Sequence, residues 1–111
     1  MNGQQFFEGL ASEYQPLLAR TEGSLRVDVA SGYETDSWHL TIERGNVIVS
    51  RDPSVADSVV HINKELFEDV VAGRKNAMSA TLRGEIGVEG APHLLNLLQR
   101  LFPGPQEASA S

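Results

Sequence analysis

The chain has 111 residues, 41% of them hydrophobic, which suits one domain able to bury a single core without metal or disulfide support. Fifteen acidic against nine basic residues give a formal net charge of -6, the wrong sign for sequence-independent binding to nucleic-acid phosphates or anionic bilayers, so nucleic acid is not expected as a partner. There is no cysteine, which removes disulfide frameworks, thiolate catalysis and cysteine-ligated metals together.

The first stretch, MNGQQFFEGLASEY, has neither a basic region nor a long apolar run, so no signal peptide or membrane span is expected and a soluble, cytoplasmic protein is the default. Phe6, Phe7, Leu10 and Tyr14 recur at helical spacing, and Leu17 with Leu18 continues that face beyond Pro16. A proline inside a helix costs about 3 kcal/mol, which places Pro16 at the start of a second short segment, closed by Glu22-Gly23. Residues 24–30 read as a first strand, with Leu25, Val27 and Val29 alternating with Arg26 and Asp28, and 31–35 read as a loop. In residues 37–44 Trp38, Leu40 and Ile42 alternate with His39, Thr41 and Glu43. The turn Arg44-Gly45-Asn46 then leads into Val47, Ile48 and Val49, which predicts an antiparallel hairpin. Arg51, Asp52 and Pro53 end it.

Residues 57–62 supply a fourth strand through Val59, Val60 and Ile62. Asn63 is placed to cap a helix through Leu66, Phe67, Val70 and Val71 to Gly73, with Glu65 in the first turn, where the helix dipole favours acid. Residues 76–82 read as one or two further helical turns carrying Ala77, Met78 and Ala80. Ile86 and Val88 then alternate with Glu85 and Glu89 between Gly84 and Gly90, a fifth strand. Pro92 suits the first turn of a last helix whose Leu94, Leu95, Leu97, Leu98, Leu101 and Phe102 fall on one side. They span roughly 160°, wider than the stripe of about 100° that packing on a sheet requires. Pro103, Gly104 and Pro105 stop it, leaving a domain over 1–105 and a polar tail, 106–111, expected to be disordered. The expected architecture is α+β in two layers, with a mostly antiparallel five-stranded sheet covered on one side by helices.

Signals for chemistry are sparse. His39, His61 and His93 stand at no metal-ligand spacing, and His39 reads as a surface residue on a wet strand face; His61 can face either way. No GxSxG elbow, phosphate-binding loop, dinucleotide fingerprint or HExxH pair occurs, so neither catalytic residues nor a metal or cofactor are assigned. Arg74, Lys75 and Arg83 form at most a small basic rim, and a solvated turn is the simpler reading. What remains is apolar surface: Trp38, Phe67, Val70, Val71 and the wide leucine face, enough for a pocket between sheet and helices.

These residues resemble the sterol carrier protein 2 family. The stretch FEDVVAGRKNAMSATLRGEIGVEGAPHLLNLLQRLF, residues 67–102, is similar to that family's order of amphipathic helix, glycine, short alanine- and methionine-containing helix, glycine-initiated strand and closing apolar helix. Trp38-His39-Leu40-Thr41-Ile42 followed by Arg44-Gly45-Asn46-Val47 resembles its central hairpin, Ala56-Asp57 with Val59 to Ile62 its next strand, and Pro16 falls where its first helix breaks. The resemblance implies a hydrophobic tunnel between sheet and helices that holds a lipid, sterol or similar hydrophobic small molecule, with no catalytic residue and at most transient membrane contact. Carried over by position, the tunnel candidates are Trp38, Phe67, Val71, Met78, Ile86, Leu94, Leu95, Leu98, Leu101 and Phe102. The chain departs from the family pattern at Gly90-Ala91-Pro92, which lacks the usual polar cap, and at Glu85, where a lysine commonly follows the glycine. The runner-up reading is an interaction domain whose apolar helix packs on a second copy, as a homodimer, or on a partner enzyme.

Overall fold

The structure, a computed structural model, describes residues 3–52 and 54–90. The expected last helix with Leu94, Leu95, Leu98, Leu101 and Phe102, together with His93 and the 106–111 tail, lies outside the described residues.

Helix α1 (Gly3–Ser12) buries Phe6, Phe7 and Leu10 on one side. Tyr14, expected on the same face, instead lies beyond the helix end and is largely exposed. The cause is Pro16: the residue before a proline is kept out of the helical region, and Gln15 is extended, with φ -105° and ψ 98°. Pro16 opens a short 3-10 turn (Pro16–Leu18) as anticipated, and Leu18 is buried.

Strands β1 (Glu22–Ser31) and β2 (Glu34–Glu43) are longer than the alternation suggested, because the expected 31–35 loop contracts to a two-residue turn at Gly32 and Tyr33. Gly32, with φ 62°, holds the first central position, which a II′ turn reserves for glycine. Glu22 and Gly23, expected to close the helical region, belong to β1. There Ser24 and Asp57 exchange hydrogen bonds, with the Ser24 amide donating to Asp57 Oδ2 at 3.0 Å and the Asp57 amide to Ser24 Oγ at 2.9 Å. Arg44 and Gly45, with φ 50° and 92°, form the next turn, and Asn46 already starts β3 (Asn46–Ser50).

Strand β4 (Ser58–Asn63) runs parallel to β1, and β5 (Gly87–Gly90) antiparallel to β4, giving the order β3-β2-β1-β4-β5. The first three strands are the anticipated meander. With a period of two, one face carries the rows Trp38, Val27, Val60, Val88 and Asp36, Val29, Ile62 across the sheet, and helices α1 and α2 pack on it. This is the expected two-layer α+β sheet, mostly antiparallel.

Helix α2 (Lys64–Val71) is capped as predicted: Asn63 Oδ1 accepts from the Leu66 amide at 2.8 Å, while Leu66, Phe67, Val70 and Val71 are buried. Asn63→Ala is expected to lower stability by about 1 kcal/mol, and Asn63→Gly by only a few tenths, measured by urea unfolding. Helix α3 (Ala77–Leu82) has the same device, Asn76 Oδ1 accepting from the Ser79 amide. Its end explains why β5 starts later than the alternation predicted. The Gly84 and Glu85 amides turn back onto the Thr81 and Ala80 carbonyls with Gly84 at φ 80°, so residues 84 and 85 terminate the helix. Ile86 is nevertheless buried, just ahead of the strand.

Candidate functional site

The apolar rows of the sheet and the buried faces of α1 and α2 meet in an aromatic stack. Phe7, with no exposed surface, lies between Trp38 of β2 and Phe67 of α2, its ring centroid 4.7 Å from the first and 5.6 Å from the second. Beside the stack the layers part into a cleft of about 300 Å³, with Trp38, Phe67 and Val29 as apolar walls and Gln4, Asp36, Arg51, Lys64 and Glu68 around them. A second space of about 300 Å³ between α1 and β3 also touches Gln4, Trp38 and Arg51.

Arg51 stands at the junction of the two spaces. Its guanidinium carbon is 4.1 Å from the centroid of the Trp38 ring, its NH2 group is 3.1 Å from Asp36 Oδ1, and its Nε donates to the Ser37 carbonyl at 3.1 Å. A cation over an indole face is attracted by the ring's negative π surface, so the contact holds Trp38 in one orientation at the mouth.

Of the tunnel candidates, Trp38 and Phe67 are thus brought to one cleft. Val71 and Ile86 are buried in the same apolar cluster without lining that cleft, and Met78 is half-buried outside the cluster. Phe7, Arg51 and Lys64 were not singled out for the site by sequence reasoning. A signal for Arg51 existed: β2 and β3 pair Leu40 with Val49, and two steps further the same register sets Arg51 opposite Trp38. The odd positions 47, 49 and 51 therefore share the apolar face.

The other face of the sheet is polar. His61 points there, its Nε2 2.5 Å from Glu89 Oε2 and its Nδ1 3.6 Å from Asp28 Oδ2, while Asp28 also accepts from Arg26 and from Ser37 Oγ at 2.8 Å. Ser37, the hydroxyl in this network, donates to the carboxylate and not to the imidazole, so no nucleophile–base pair is assembled. His39 on the same face meets the Val55 carbonyl at 3.4 Å. Among the described residues, no cluster of three His, Asp or Glu side chains is arranged to hold a metal, and no helix is long and apolar enough to cross a membrane.

The basic rim is neutralised locally. Arg74 and Lys75 pair with Asp69, and Arg83 with Glu85. The hydrogen bond from Arg74, reinforced by its charge and that of Lys75, holds the Asp69 carboxyl below the usual carboxylate value, and Arg83 does the same to Glu85. A lowered folded-state value means that these pairs support the fold above the ordinary carboxylate pKa and cease to do so as pH falls through the lowered one, below about pH 4. Arg74→Gln is expected to move the Asp69 carboxyl titration upward, read by NMR, with little change in stability because the pair is exposed.

Comparison with known proteins places this geometry. Residues 4–103 match the model of the SCP-2 sterol transfer family. The chain is 24% identical over 90 residues to the peroxisomal multifunctional enzyme A of Dictyostelium discoideum, an alignment that takes in 79% of this chain and 20% of that protein. It therefore spans about a fifth of the length of the curated relative it matches. Among solved structures, palmitated SCP2L2 from Aedes aegypti aligns over 91% of this chain and 95% of its own, with a TM-score of 0.69 at 15% identity. The stereoselective inverting sec-alkylsulfatase Pisa1 from Pseudomonas sp. carries the same fold in 17% of its length, covering 96% of this chain with a TM-score of 0.64 at 18% identity. With the family model covering nearly the whole described fold, the chain belongs to the SCP-2 sterol transfer family.

Proposed function

We propose that this chain binds and carries a lipid, as a non-catalytic domain, with the tail entering between sheet and helices beside Trp38 and Phe67. The observation that carries the reading is the cleft beside the aromatic stack, walled by Trp38 and Phe67, in a chain of this family. Burying a methylene contributes about 0.8 kcal/mol, so a sixteen-carbon tail supplies roughly 12 kcal/mol gross without any specific polar contact. Ordering costs reduce this, and the net affinity depends on how much of the tail is enclosed. Val71 and Ile86 extend the proposed lipid path through the shared core, Met78 flanks it, and Leu94, Leu95, Leu98, Leu101 and Phe102 are proposed to close it.

Trp38 is the chain's single tryptophan, so its fluorescence reports the mouth directly. Titration with a long-chain amphiphile is expected to give a saturable change in Trp38 emission, and Phe67→Ala is expected to weaken binding about tenfold or more, in line with removal of a buried aromatic contact. No saturable change with any long-chain amphiphile contradicts the reading.

A second reading is supported by the longer relatives. The fold forms a minor part of the peroxisomal enzyme and of the alkylsulfatase, which suits a module that packs on a partner enzyme or on a second copy. Replacing Leu98 and Leu101 by Asp separates the two: lost lipid binding in an unchanged monomer favours the carrier, and a dimer turned monomer favours the interface.

A further inference from the structure

We propose, on the basis of the lipid-binding reading, that the cleft prefers amphiphiles whose head carries both charges, a zwitterion, over heads with a single charge of either sign. Among the described residues, the charged groups around the cleft divide into one closed pair and two ions with no side-chain partner. Arg51 and Asp36 are committed to each other at 3.1 Å, with Arg51 further fixed by the Ser37 carbonyl and the Trp38 ring. Lys64 and Glu68 are different. Both line the cleft, they are one helical turn apart on α2, and among the described residues neither side chain has a hydrogen bond or ion pair.

At spacing i, i+4 the two are neighbours on the helix surface, but lysine N-terminal to glutamate is the weaker of the two orders and such exposed pairs contribute little. Among the described residues, a ligand head therefore meets one cation and one anion that are committed to no other side chain. A carboxylate head gains Lys64 and is repelled by Glu68, and a quaternary ammonium head gains Glu68 and is repelled by Lys64; in each case the two effects nearly offset. A phosphocholine-type head engages both at once. Its tail then has Trp38, Phe67 and Val29 as walls.

The test uses the full chain and three probes with one common saturated tail: hexadecylphosphocholine, hexadecanoate and hexadecyltrimethylammonium, each below its micelle concentration and followed by Trp38 emission. Hexadecylphosphocholine is expected to bind about two- to fivefold more tightly than either singly charged probe, the range that exposed charge pairs supply. Glu68→Lys is expected to move the preference to hexadecanoate and Lys64→Glu to hexadecyltrimethylammonium, while the double exchange restores the zwitterion. If a reversal fails to fold by circular dichroism, Lys64→Gln and Glu68→Gln carry the same test with smaller shifts. Equal affinity for the three probes, or an order that the substitutions leave unaltered, overturns the head-group preference and leaves lipid binding standing. Failure of all three probes to bind overturns both.

Discussion

Phe7→Ala is expected to lower the unfolding free energy by about 3–5 kcal/mol, the range for truncating a fully buried phenylalanine. Phe7 has no exposed surface and contacts the sheet through Trp38, α2 through Phe67 and its neighbour Phe6, at 5.4 Å between centroids. The loss combines the transfer of the ring with the cavity it leaves between Trp38 and Phe67. Since domains of this size have only about 5–15 kcal/mol in total, the variant should melt far below the wild type. Phe7→Leu, which keeps most of the apolar volume, should lose much less. A Phe7→Ala loss under about 1 kcal/mol by urea unfolding contradicts the stack as the joint between the layers.

Gly90→Ala is the second large effect. Gly90 closes β5 opposite Ser58 at φ 108°, where side chains are strained, and an added Cβ would meet the Asp57 carbonyl oxygen and lie 2.8 Å from Ser58 Cα. Both obstacles are backbone and cannot rotate away. Backbone strain of about 1–3 kcal/mol and overpacking of similar size together predict a loss of about 3 kcal/mol or more. Gly87→Ala supplies the control in the same strand: its Cβ would sit in ordinary contact, 3.5 Å from His61 Cβ, and its φ is not left-handed. That variant is expected to stay within about 1 kcal/mol of wild type. If the two variants unfold alike, the close approach of β5 to β4 at Gly90 is wrong.

The contrast between those two glycines shows what can be read from a sequence and what cannot. Gly90 reads as the residue that bounds the alternating stretch and Gly87 as one inside it, but neither position shows which glycine abuts another strand's backbone. Alternation along β1 and β2 did predict which side chains share the buried face, since a period of two leaves little choice once one face is buried, whereas in β4 the run Val59-Val60 left the facing of His61 open. The Asn63 cap and the break at Pro16 were legible for the same reason: each is a local rule carried by the residues themselves.

Strand ends were less legible because they are set by partners far away in the chain. Glu22 and Gly23 join β1 only because Ile42 and Glu43 are there to pair with, and the parallel pairing of β1 with β4 has no local signal at all. At the site, Trp38 and Phe67 were identifiable by type and resemblance. Arg51 was readable only once the β2–β3 register was known, because a charged residue just past a strand otherwise reads as its end. Lys64 gave no signal beyond its place after the cap. The five candidates from Leu94 to Phe102 lie outside the described residues, so their part in a lipid path stays a proposal.

The most direct test of the central claim is organic extraction and mass spectrometry of the freshly purified native protein, with a heat-denatured aliquot and an unrelated protein from the same host as controls. A stoichiometric, chemically narrow set of lipids released from the native protein, and displaced by added amphiphile with a matching change in Trp38 emission, is the predicted result. Lipid no higher than in the controls, together with Trp38 emission that added fatty acid and sterol leave unchanged, would contradict it.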